Sequence, residues 1–105
     1  MTQKREIRSK RRRIARIMVG DYKRLGKSEQ DAIFKKAIDN AIEKTRQMEN
    51  GEARMKAVKM VCIDQTHTTA GAASAVHYSY WATLIYIREF LDLVNEEAGF
   101  FEAEE

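Results

Sequence analysis

The chain has 105 residues, enough for one domain and too few for two. With no proline and only five glycines it lacks the chain breakers of a β-sandwich, a collagen-like chain or a disordered linker, while 44% hydrophobic and 33% charged residues leave room for a core. A lone cysteine, Cys62, rules out an internal disulfide, and the formal net charge is a mild +3.

That mildness hides a segregation. Residues 1–27 carry eleven Lys/Arg against Glu6 and Asp21, a net of +9, whereas residues 28–105 carry eight against fourteen acids, a net of −6. From Arg88 onward there is one basic residue and seven acidic ones. A head this basic points to a polyanion or an acidic surface as partner; the alternative is an acidic tail that neutralises the head within one folded unit.

The N-terminal arm, residues 1–13, holds most of the head's charge in Lys4, Arg5, Arg8, Lys10, Arg11, Arg12 and Arg13. On a helix, Arg5, Arg8, Arg12 and Arg16 share one stripe, and like charges at that spacing repel. The free arm is therefore expected to fray and to gain order against phosphates, to which guanidinium groups bind in a bidentate manner. The arm has no apolar run of the kind a secretory signal needs. It also offers little bulky apolar surface for a lipid interface, so no membrane association is expected.

From Lys10 to about Leu25, apolar residues at Ile14, Ile17, Met18, Tyr22 and Leu25 trace one helical face, with Gly26 as a C-cap just beyond. Ser28 then caps a second helix that has Glu29 and Asp31 in its first turn. Its seam is Ile33, Phe34, Ala37, Ile38, Ala41, Ile42 and Met48, ending at the Asn50–Gly51 turn. A third helix, about Glu52 to Asp64, turns Met55, Val58, Val61 and Cys62 inward, completing a helical core over 14–64. Cys62, in an apolar run, reads as a buried, inert thiol.

The polar break Thr66–Thr69 offers cap residues. Ala70 to Val76 is a short helix of small residues, His77-Tyr78-Ser79 a three-residue break, and Ser79 caps a helix from Tyr80 to about Glu97, leaving an acidic tail over 98–105. No strand signal stands anywhere. The fold class expected is all-α, a compact bundle of four to five helices in a single domain, with a helix-turn-helix-like unit over 69–97.

The run Ala72-Ala73-x-x-Val76-His77-Tyr78-Ser79, followed by a long helix ending Phe90-Leu91-x-Leu93-Val94, resembles the sigma-region-4-like helix-turn-helix of phage transcriptional regulators of the ArpU/RinA kind. Upstream, Glu49-Asn50-Gly51-Glu52-x-Arg54-x-Lys56 is similar to the start of a helix in those regulators, and the resemblance covers about residues 49–97. It implies a phage or prophage DNA-binding protein that regulates transcription, and the lone cysteine with no signal segment reads as cytoplasmic. Double-stranded DNA would be its partner, and the candidate contacts are Arg5, Arg8, Lys10, Arg11, Arg12, Arg13, Arg16, Ser79, Tyr80 and Arg88.

The helix from Tyr80 departs from that pattern. Twelve of the seventeen residues from Tyr78 to Val94 are hydrophobic, where a DNA-reading face needs Arg, Lys, Asn, Gln or Ser. With Thr83, Tyr86, Ile87, Phe90 and Leu91 facing the core, Trp81, Leu84 and Ile85 form a neighbouring apolar stripe. Full burial of so long a helix is hard to arrange in a chain this short, so the stripe is a candidate protein interface, a homodimer seam or a docking face for a host regulatory protein. An ordinary core helix is the alternative.

No glycine-rich phosphate loop, nucleophile elbow or metal-ligand spacing occurs, and Asp64 and His67 read as a local cap or surface hydrogen bond. The chain is read as a non-enzyme with no metal and no cofactor.

Overall fold

The computed structural model describes residues 2–25 and 28–99, with side chains from Glu6 onward. Among these residues the fold is all-α: α1 (Thr2–Gly20), a 3-10 turn (Tyr22–Arg24), α2 (Glu29–Arg46), α3 (Gly51–Val58) running into a π turn (Lys59–Ile63), α4 (Thr69–Val76) and α5 (Tyr80–Glu97). The radius of gyration, 13.3 Å, is that of a compact domain of about 100 residues. No helix among the described residues is long and apolar enough to cross a membrane.

The helix starts follow side-chain chemistry. Ser28 Oγ accepts the Asp31 amide at 3.1 Å, Thr68 Oγ1 the Gly71 amide at 3.0 Å and Ser79 Oγ the Ala82 amide at 3.0 Å, each satisfying an amide without a helical partner. α4 closes on His77 in the left-handed region (φ 64°). α3 begins after Asn50, also left-handed (φ 59°), and Gly51 is there for space: a Cβ would overlap the Arg46 carbonyl group. The π turn is marked by the Asp64 amide donating to the Lys59 carbonyl at 2.8 Å. The helix ends with that turn, and the Thr66 and His67 amides both donate back to the Met60 carbonyl.

α5 is the central element and packs against α1, α2, α3 and α4. Thr83, Ile87, Phe90, Leu91, Val94 and Asn95 are buried along it, meeting Phe34, Ile38 and Ala41 of α2, Met55 and Val58 of α3 and Ala72 of α4 in one core. A helix apolar on most sides is thus explained by neighbours on most sides. Val61 and Cys62 of the π turn join the same core, as their inward assignment predicts.

Several expectations are corrected. The basic arm is continuous with the first apolar helix: α1 is one helix from Thr2, since repulsion between exposed like charges costs only tenths of a kcal/mol per pair. Its buried face is Ala15 and Val19 with Met18 beside them, while Ile14 and Ile17 are 41% and 64% exposed. In this rotation Arg12 reaches Asp92 of α5 while the isoleucine stripe faces outward. On α2, Ile33 lies at the edge of the seam and is exposed, as is Met48. Gly26, the expected C-cap, lies outside the described residues, as do residues 100–105 of the acidic tail.

Candidate nucleic-acid interface

α1 packs against α5. Arg12 Nε and Nη2 donate to the two carboxylate oxygens of Asp92 at 2.8 and 2.9 Å, a bidentate pair with about a quarter of each side chain exposed. This placement carries Arg13 and Arg16 to the open side of α1, where they line a cleft of about 230 Å³ with Thr69 of α4 and Leu84 and Arg88 of α5. The same two arginines also line a neighbouring cleft of about 600 Å³ with Gln65, His67 and Thr68, beside the first turn of α4. Arg12, Arg13 and Arg16 of α1 and Arg88 of α5 therefore line one cleft beside the first turn of α4, where the helix dipole adds positive potential.

The predicted contacts divide. Arg13, Arg16 and Arg88 are exposed, come together, and form no ion pair among the described residues. Lys10 is exposed on α1, and Arg8 and Arg11 are half-buried and engaged in interactions of their own. The Arg5 side chain lies outside the described residues. Arg12 lines the same cleft, with two of its five N–H donors held by Asp92 and the rest of its guanidinium left over. Ser79 is a cap: its hydroxyl accepts from Ala82 and its carbonyl from the Thr83 amide and hydroxyl.

On α5, Tyr80 and Trp81 meet edge to face at 5.4 Å, and Trp81 is 68% and Ile85 49% exposed. Leu84 is half-buried in the α1 cleft, so the free apolar patch is Tyr80, Trp81 and Ile85. Tyr86, expected in the core, is half-buried beneath the guanidinium of Arg54 at 4.3 Å, while Arg54 also pairs with Glu89 at 2.6 Å. That pair ties α3 to α5.

Gln65, His67 and Thr68 were not expected beside the arginines. The polar break was legible as capping residues, but nothing in its spacing places it against α1. Asp64 and His67 do not pair: Asp64 faces Lys23 and Lys59, while His67 Nδ1 contacts Thr66 Oγ1 at 2.9 Å. Cys62 is 1% exposed, and burial pushes its thiol up to about 11, outweighing the opposing effect of Arg16. Among the described residues no three His, Cys, Asp or Glu side chains gather as a metal site. No protein-family model, no curated protein and no solved structure matches the chain.

Proposed function

We propose that this protein is a small non-enzymatic DNA-binding regulator of the cytoplasm, of the phage or prophage type that the ArpU/RinA resemblance suggests. The observation that carries the reading is the convergence of Arg13, Arg16 and Arg88 on one cleft beside the first turn of α4. The arrangement suits backbone phosphates, which position a protein on duplex DNA without specifying sequence.

Binding of a labelled duplex, followed by fluorescence anisotropy across a salt series, tests it. Six phosphate contacts give a log–log salt slope of about −5. The R13A/R16A/R88A variant should bind more weakly, with a slope shallower by about 3. Unchanged affinity in that folded variant would sink the mechanism.

A second reading rests on the exposed Tyr80–Trp81–Ile85 patch, which suits a homodimer seam or a host regulatory protein. Light scattering of the wild type and of Trp81→Ala tests the dimer: an oligomer that the substitution dissolves supports it. A monomer whose indole remains open to iodide quenching removes it.

A further inference from the structure

Away from the arginine clefts, and sharing no residue with them, a cleft of about 760 Å³ opens between the 3-10 turn, α2 and the helix formed by α3 and its π turn. Its floor is apolar, made by Ile42, Met55 and Ile63, with Tyr22 as one wall. Tyr22 is fixed there by a hydrogen bond from its hydroxyl to Asp39. Around the rim stand four cations, Lys23, Arg46, Lys56 and Lys59, against one acid, Glu52. The acidic body of the chain thus concentrates three of its eight basic residues at one opening.

These cations are only loosely engaged. Lys23 and Lys59 share Asp64 at 3.7 and 3.3 Å with side chains 77% and 64% exposed, a geometry that contributes little. Arg46 and Lys56 form no ion pair among the described residues.

We propose that this cleft docks an acidic amphipathic peptide segment of a partner protein, its apolar side chains on Ile42, Met55 and Ile63 and its carboxylates on Arg46, Lys56 and the paired lysines. Charge complementarity and the floor together select this occupant. A DNA backbone would satisfy the cations and leave the apolar floor wet. A single-headed amphiphile would fill the floor and meet only one end of a rim whose cations come from three separate elements. A segment with several carboxylates around an apolar stripe satisfies both.

The probe is a fluorescein-labelled helical peptide of about 14 residues, with leucine at helical spacing and glutamate elsewhere. Saturable binding is expected, weakened about tenfold or more by the R46E/K56E double variant, and by a similar factor when serine replaces the leucines of the peptide. Both replaced positions are exposed, in the last turns of α2 and α3, so the variant should stay folded with its melting temperature lowered by only a few degrees. The R13A/R16A/R88A variant should bind the peptide as the wild type does, which separates this site from the DNA interface. Equal affinity of R46E/K56E, equal affinity of the serine peptide, or loss of binding in R13A/R16A/R88A would each overturn the proposal. So would a drop in duplex DNA affinity in R46E/K56E, which would make the cleft a nucleic-acid contact.

Discussion

The guanidinium of Arg12 holds the carboxylate of Asp92 through two parallel hydrogen bonds, joining the first helix to the last across 80 positions of sequence. One arginine of the basic run is thereby tied into the fold through two of its five N–H donors. Arg12→Ala should destabilise the protein by about 1–2 kcal/mol, through the lost pair and the lost packing of its stem. A double-mutant cycle with Asp92→Ala should give a coupling of about 1 kcal/mol. Arg13→Ala and Arg16→Ala should each change stability by less than about 0.5 kcal/mol in urea unfolding. Equal effects at all three positions would refute the division between structural and surface arginines.

Two glycines make a contrasting pair. At Gly51 an added Cβ would lie 2.6 Å from the Arg46 carbonyl carbon and 2.8 Å from the Thr45 oxygen, so backbone must move. Gly51→Ala should cost about 2–3 kcal/mol. At Gly20 the obstacle is the far end of the flexible Gln65 side chain, and alanine gains helix propensity. Gly20→Ala should therefore be neutral or stabilising by up to about 1 kcal/mol in the same denaturation experiment.

Asn95 is fully buried on α5, and neither its amide nitrogen nor its oxygen has a partner among the described residues. A buried unpaired amide costs about 1–3 kcal/mol, which an apolar side chain of similar size recovers. Asn95→Leu should raise the unfolding midpoint in urea, and a clear loss of stability would show that the amide holds a specific role in the core.

Cys62 supplies a pH-dependent test. Its thiol is held protonated by burial, with a folded value of about 11 against an ordinary 9.0. The folded state therefore binds the extra proton, so this contribution is complete below pH 9 and is lost as pH rises toward 11. Between those values the wild type should lose stability faster than Cys62→Ala. Native alkylation by iodoacetamide at pH 8 should be slow, and fast in denaturant. Prompt native alkylation would contradict the burial.

Acid has the opposite sign at the other end of α5. Glu97 receives a hydrogen bond from Lys44 and another from Asn40, and the lysine contact, the larger influence, holds its carboxyl below the usual glutamate range. The stabilisation is present above the ordinary glutamate pKa of about 4.3 and is lost as pH falls through the lowered value. Glu97→Gln should flatten the low-pH limb of a stability–pH profile, and an unaltered limb would show that the pair contributes nothing measurable.

The helices and their starts were legible because they rest on short-range chemistry. Ser28, Thr68 and Ser79 each accept an amide three residues ahead, and that bond needs no tertiary partner. The buried sides of α2 and α5 were largely legible as well, since Phe34, Ile38, Ile87 and Phe90 repeat at helical spacing. Which side of α1 meets the core was not: Ile14 and Ile17 are the more apolar choice, yet Ala15 and Val19 are buried, because the face is chosen by packing against helices distant in the chain. Likewise the sequence shows how much basic charge the chain carries, but only tertiary packing sorts it. Folding commits Arg12 to an ion pair, gathers Arg13, Arg16 and Arg88 beside α4, and places Arg46, Lys56 and Lys59 around an apolar cleft. The physical reason is range: propensity and capping act within a few residues, whereas the pairing of charges depends on contacts between helices distant in the chain.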